Sequence, residues 1–207
     1  MSNSHQRQLS DSKFLIVILA GLVAFGPLSI DMYLPSLTAI TEDLGASISD
    51  IKQTITFFLF GFSIGMFFYG PLSDHYGRRV LLIIGISIYL IATAGTIFTD
   101  NGQSLFSWRL LQALGGASAS VIARAIVRDL FAVHDAAKIL SIMHVITMLA
   151  TLIAPIIGSY LTMFFSWRAI FVFLFIFALL ALLAALFKLK ESLPKEERNK
   201  SVTSALM

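Results

Sequence analysis

The chain has 207 residues, of which 57% are hydrophobic and 13% charged. Soluble domains carry about 45–50% apolar and about 25% charged residues, so this composition belongs to a membrane protein. The net charge of +3, with no basic run interleaved with aromatics, gives no nucleic-acid surface, and zero cysteines exclude disulfides, thiolate metal sites and a cysteine nucleophile.

Residues 1–13 are polar and read as a cytoplasmic tail. Phe14 to about Leu34 is the first apolar run. Arg7 and Lys13 before it, and small residues near Ala24 and Gly26, give it the layout of a signal peptide. It exceeds the usual signal core of about 7–15 residues, and five more apolar runs follow, which favours a spanning helix. Those runs are 51–72, 80–98, 104–127, 138–161 and 169–187. Each is near the roughly 20 residues that cross a bilayer. The expected architecture is therefore an all-α membrane protein with a six-helix bundle over 14–187 and a cytoplasmic linker or tail over 188–207.

Lys and Arg fix the expected orientation. Twelve of the fifteen lie in the tail, the 2–3 loop, the 4–5 loop and the C-terminal stretch. The opposite loops hold Lys52 and Arg168, and Arg109 lies inside a span. By the positive-inside rule both termini face the cytoplasm. Helix 6 has no polar side chain over 169–187, whereas helix 4 carries Arg109, Gln112, Gly115, Gly116, Ser118 and Ser120. Helices 1, 2, 4 and 5 are accordingly expected to be interior and helices 3 and 6 peripheral. Gly61 and Gly65 in helix 2 form a GxxxG pair, which lets a neighbour pack closely.

A short charged turn, Gly70 to Arg79, joins helices 2 and 3. Gly70 would let two helices approach, Asp74 would cap or charge-complement a helix N-terminus, and Gly77 would take the left-handed backbone of a tight turn. Arg78 and Arg79 would hold the turn at the cytoplasmic face. An ordinary positive-inside turn accounts for the arginines alone.

Ionisable groups within a span are costly and are functional by default. Asp31 lies about 25 Å up a core about 30 Å thick, and Arg109 about 7–8 Å below the opposite boundary. The two could meet inside a bundle. Asp31 could then take up and lose a proton, or the pair could be a static link between helices, or Asp31 could sit at the headgroup boundary. Pro35 removes the helical partner of the residue 31 carbonyl, and Pro27 that of Val23. Pro155 does the same to Thr151 near Gly158, so a kink is expected in helix 5. Tyr33, Phe58, Gln112, His144 and Met148 are candidates to line a small-molecule cavity. The four histidines, His5, His75, His134 and His144, are isolated and show no metal spacing. No G-x-S-x-G, H-E-x-x-H or phosphate loop is present, so neither catalysis nor a cofactor is expected beyond a proton as coupling ion.

Three stretches carry a resemblance. They are Asp31–Leu37, the turn with Gly70, Leu72, Asp74, Gly77, Arg78 and Arg79, and the helix 4 segments Arg109–Gly115 and Ala123–Asp129. Together they resemble the N-terminal six-helix half of major facilitator superfamily drug/proton antiporters of the bicyclomycin-resistance (Bcr/CflA) type. The resemblance implies half of that fold, a 3+3 inverted repeat. It implies Asp31 as the protonatable acid and Arg109 as the arginine linked to proton coupling. It also implies a conformational latch of Gly70, Asp74, Gly77, Arg78 and Arg79, with Arg124 or Arg128 as partners. The expected function is proton-coupled efflux of small drug-like molecules across the inner membrane. The helix 5 antiporter motif is only partly kept, as Ala154-Pro155-Ile156-Ile157-Gly158-Ser159.

The family has twelve helices in two halves that rock about a central cavity. A second six-helix half or a homodimer partner is therefore expected besides the lipid bilayer and the substrate. The alternative is a truncated, non-transporting remnant or an interaction partner of a full transporter.

Overall fold

A computed structural model describes residues 15–194 and Arg198. The expected tail over 1–13 lies outside the described residues, as does the C-terminal stretch beyond 194 apart from Arg198. The elements are α1 (Leu15–Val23), α2 (Phe25–Asp31), a 3₁₀ turn (Leu34–Ser36) and α3 (Leu37–Leu44). Five long helices follow: α4 (Ile48–Tyr76), α5 (Arg78–Ile97), α6 (Gly102–Leu130), α7 (Val133–Phe164) and α8 (Arg168–Lys188). Among the described residues there is no strand. The five long helices are each able to cross a membrane by length and composition, and the bent α1–α3 segment makes a sixth candidate.

The first span is broken for the reason its prolines give. Pro27 has no N–H, so the Val23 carbonyl loses its helical donor, and the chain bends by 43° at Ala24. Ser120 of α6 supplies the missing donor, its hydroxyl 3.3 Å from the Val23 carbonyl. After Asp31 the backbone tightens: the Tyr33 N–H bonds the Ile30 carbonyl, and Ser36 N–H the Tyr33 carbonyl. The chain then continues into α3 rather than stopping near Leu34, and ends at Gly45, whose φ of 57° is the left-handed cap.

Caps lie outside the apolar runs, so the observed helices outlast the expected spans. The Ser47 hydroxyl accepts from the Asp50 N–H at 3.1 Å to start α4. The Asn101 side chain accepts from the Ser104 N–H at 2.8 Å to start α6.

Helix α6 is the hub. Its small residues from Gly115 to Ser120 are all buried. Both glycines of the α4 pair face it: a Cβ at Gly61 would meet Leu110, and one at Gly65 would lie 2.6 Å from the Ala117 Cβ. On the other side a Cβ at Gly115 would lie 2.5 Å from the Tyr89 backbone nitrogen of α5. Close backbone approach of this kind is what drives association where lipid removes the hydrophobic incentive. At the end opposite the α4–α5 turn, Asp43 of α3 accepts from the Trp167 indole at 3.0 Å and pairs with Arg168. Arg168 also donates to the Ile97 and Thr99 carbonyls, so one guanidinium ties α3, α5 and α8 together.

Burial within this chain differs from helix to helix. α4 and α7, expected to be interior, carry the most exposed apolar faces, including Phe60, Phe67, Leu152 and Ile156. α5, expected to be peripheral, is half covered by α6 and α8. Among the described residues no helix covers the outer faces of α4 and α7.

Because the Gly115 contact is with backbone, it cannot relax by a rotamer change. Gly115→Ala is expected to destabilise the bundle by about 1–3 kcal/mol. Gly70→Ala, with nothing within 4 Å of the added methyl, is expected to be near neutral. Thermal unfolding of the two variants in the same detergent tests the contrast.

Candidate functional site

Arg109 is fully buried. The conformational break of the first span prepares its seat. Because the Tyr33 N–H turns to Ile30, the Ser29 carbonyl is left without its ordinary helical donor. The Arg109 guanidinium fills that role at 3.0 Å and donates a second bond to the Gln112 Oε1 at 2.7 Å. Gln112 in turn donates to the Thr93 hydroxyl of α5 at 2.8 Å. The planar cation lies against three aromatic faces, Phe58 at 4.3 Å, Tyr33 at 4.5 Å and Phe171 at 5.7 Å. Such contacts strengthen on desolvation, to about 2 kcal/mol each at best. Tyr33 is fixed by a 2.8 Å bond to Thr54, and Ser29 by a 2.7 Å bond to Tyr89.

Asp31 does not pair with Arg109. Its carboxylate lies against the Thr151 hydroxyl of α7, while Arg109 is held by a carbonyl, an amide and aromatic rings. The expected ion pair is thus replaced by an indirect link, Arg109 gripping the backbone two residues before Asp31. Gly158 makes room for the broken segment. A Cβ there would fall on the Met32 carbonyl, and α7 runs unbroken through Pro155.

The cavity candidates divide. Tyr33, Phe58 and Gln112 are fully buried around Arg109. His144 lines a cavity of about 550 Å³ between α1, α6 and α7. Met148 is exposed on the outer face of α7.

At the α4–α5 turn, Gly77 takes φ 99° and ψ 149°, a conformation essentially restricted to glycine. Gly70 does not bring helices together, since nothing approaches its Cβ position. Asp74 is not an N-cap. It ends α4 and bonds Arg78 at 2.5 Å, offsetting a carboxylate placed at the negative end of the helix dipole. The N-terminus of α5 takes its carboxylate from Glu191, which accepts from the Arg78 N–H at 2.9 Å. Arg78 reaches across to α6, but its partner there is Asp129 at 3.0 Å, not Arg124 or Arg128. Ser73 accepts from Arg78 at 2.5 Å, and Ser192 donates to Asp129 at 3.0 Å. Arg79 donates to the Leu186 carbonyl at the end of α8. Arg124 lines the cavity with His144, and Arg128 is exposed with no ion pair among the described residues. Asp129, Glu191 and Ser192 were not singled out from the sequence. The signal for Asp129 was opposite charge beside two arginines; for Glu191 and Ser192, more than 110 residues along the chain from the turn, there was none.

With this geometry, comparison with known proteins is informative. Residues 17–206 match the family model described as Major Facilitator Superfamily. The chain belongs to the major facilitator superfamily. It is 33% identical over 188 residues to the bicyclomycin resistance protein homolog of Haemophilus influenzae, covering 90% of this chain and 47% of that protein. It is also 33% identical to the multidrug resistance protein MdtL of Vibrio parahaemolyticus, covering 93% of this chain and 48% of that one. Its fold matches a solved D-xylose-proton symporter with a TM-score of 0.75 at 18% identity, covering 95% of this chain and 52% of the symporter. The chain thus spans about half the length of the curated relatives it matches. As a major facilitator half it is a multi-pass membrane protein of small-molecule transporter ancestry, and the Arg109 network and the α4–α5 turn are its two densest polar sites.

Asp129 receives Arg78 and Ser192, so Asp129→Asn removes a charge-assisted bond from a shielded arginine. We expect about 1.5–3 kcal/mol of destabilisation. Arg128→Gln, one residue away and unpaired, is expected to change stability by less than about 0.5 kcal/mol. Unfolding midpoints of the two variants decide whether the α4–α5 turn is held to α6 through the acid or through the neighbouring arginine.

Proposed function

We propose that this chain forms the N-terminal half of a proton-coupled exporter of small drug-like molecules. It is not an enzyme and takes no cofactor other than the coupling proton. The observation that carries the reading is the single grip of buried Arg109 on the Ser29 carbonyl, two residues before Asp31 on a broken span. Intramembrane ionisable groups arranged on a discontinuous helix are the usual form of an ion pathway. The names of the bicyclomycin- and multidrug-resistance relatives support a drug-like substrate class.

In this mechanism Asp31 takes a proton from outside and the bundle switches inward. Proton release is then coupled to substrate capture. The backbone link means that a change of charge on Asp31 is felt where Arg109 is anchored. The Asp74–Arg78–Asp129 cluster steadies one of the two conformations. The exposed apolar faces of α4 and α7 receive a second six-helix half, supplied by another chain or a second copy. The positive-inside count supports an inner-membrane protein with both termini cytoplasmic. The same exposed faces also suit a second reading, in which the chain does not transport but binds a full-length transporter.

Inside-out vesicles carrying this chain with a supplied C-terminal half, acidified inside, provide the test. A transported drug is expected to dissipate the proton gradient, and Asp31→Asn to abolish that response at unchanged protein level. Arg109→Lys, which keeps the charge but loses the planar fork, is expected to slow the response at least about tenfold. Proton-dependent uphill export by Asp31→Asn would rule out proton transfer at Asp31. A silent vesicle in which the chain co-purifies with a full transporter would favour the second reading.

A further inference from the structure

The cavity between α1, α6 and α7 lies apart from the Arg109 network and from the α4–α5 turn. It measures about 550 Å³, within the range of small-molecule sites. Arg124 of α6 lies six residues before the end of its helix, about 9 Å in from that end. His144 and Ser141 of α7 face it across the space, and Val23, Leu140 and Met143 supply an apolar wall.

Among the described residues Arg124 forms no ion pair. α1 has no acidic residue, and α7 between Ser141 and His144 has none. The nearest acid on α6, Asp129, is engaged by Arg78 and Ser192. Glu191 is engaged by the Arg78 N–H and Arg198. The next charge along α6 is Arg128, of the same sign. Arg109 inside the same helix spends its two terminal nitrogens on a carbonyl and an amide and leaves its Nε buried without a partner, whereas Arg124 lines the cavity with a hydroxyl and an imidazole opposite. A half-buried guanidinium without a counter-ion is a standing demand for one.

We infer that this cavity binds an organic anion, its carboxylate on the Arg124 guanidinium and His144 and its apolar body against Val23, Leu140 and Met143. The inference rests on the reading of the chain as half of a small-molecule transporter and names the ligand class one of its sites accepts. A planar guanidinium meets a carboxylate with two parallel bonds, which an ammonium does not, so the site discriminates by charge and by geometry.

The test uses the full chain in lipid nanodiscs and two fluorescent probes that differ only in the acid, dansylglycine and dansylglycinamide. Dansylglycine is expected to bind about tenfold more tightly than the amide. Arg124→Gln is expected to remove the difference, Arg124→Lys to reduce it several-fold, and Arg128→Gln to leave it unchanged. Should Arg124→Gln fail to elute as a folded species, Arg124→Lys and His144→Asn, which is expected to weaken the carboxylate probe alone, carry the same comparison. Equal binding of the two probes, binding of neither, or a preference that survives Arg124→Gln overturns the inference. Equal loss in Arg128→Gln also overturns it, because bulk surface charge then explains the preference. A preserved carboxylate preference beside absent proton-coupled export would mean that the functional reading fails while the site stands.

Discussion

A permanent positive charge buried among helices needs partners, and among the described residues Arg109 finds them without a carboxylate, its Nε alone left unbonded. Isolated burial of an ion in a low-dielectric interior carries a penalty of several kcal/mol even after relaxation. Arg109 offsets it with a carbonyl, an amide oxygen and three aromatic faces. Each of those requires a structural irregularity elsewhere. The Ser29 carbonyl is free only because the first span tightens after Asp31. The Gln112 amide is oriented only because Thr93 holds its other end. Tyr33 reaches the guanidinium only because the break turns it inward toward Thr54. The proline-bearing segment and the polar stripe of α6 meet at this one cation.

That dependence explains what was legible beforehand. Span number and the buried arginine follow from composition and hydropathy, which act residue by residue. The freed Val23 carbonyl follows from Pro27 alone, and its donor Ser120 sits where the fold brings α6. The partner of Arg109 was not legible. Opposite charge at matching depth argued for Asp31, but depth fixes only one coordinate, and rotation about two helix axes decides whether two side chains meet. Aromatic and carbonyl acceptors leave no charge signature in a sequence, so a cation held by them looks unpaired.

The α4–α5 turn shows the same limit from the other side. Its motif is local, and Gly77 is read correctly because a positive φ is a property of one residue. Gly70 is misread because close approach depends on a neighbour that is not there. Glu191 supplies the carboxylate expected from Asp74, and it arrives from the far end of the chain. Gly77 serves both requirements, since a side chain there would collide with Glu191 as well as strain the backbone. A turn that reads as a self-contained motif is therefore completed by the segment that follows α8. A change at the end of the bundle reaches the junction of α4 and α5 directly.

The two intramembrane arginines of α6 make opposite use of one helix. Arg109 lies near the end where α3, α5 and α8 are tied by Arg168, in a seat closed by aromatic rings and with its polar bonds inside the chain. Arg124 lies near the other end, across an open space from a helix whose outer face is bare. Two nitrogens of the Arg109 guanidinium hold a carbonyl and an amide inside the chain, and its Nε stays buried without a partner. Arg124 stands about 22 Å away by the helix rise over fifteen residues, so different neighbouring helices decide what each arginine meets: α2, α4 and α8 around the first, α1 and α7 around the second.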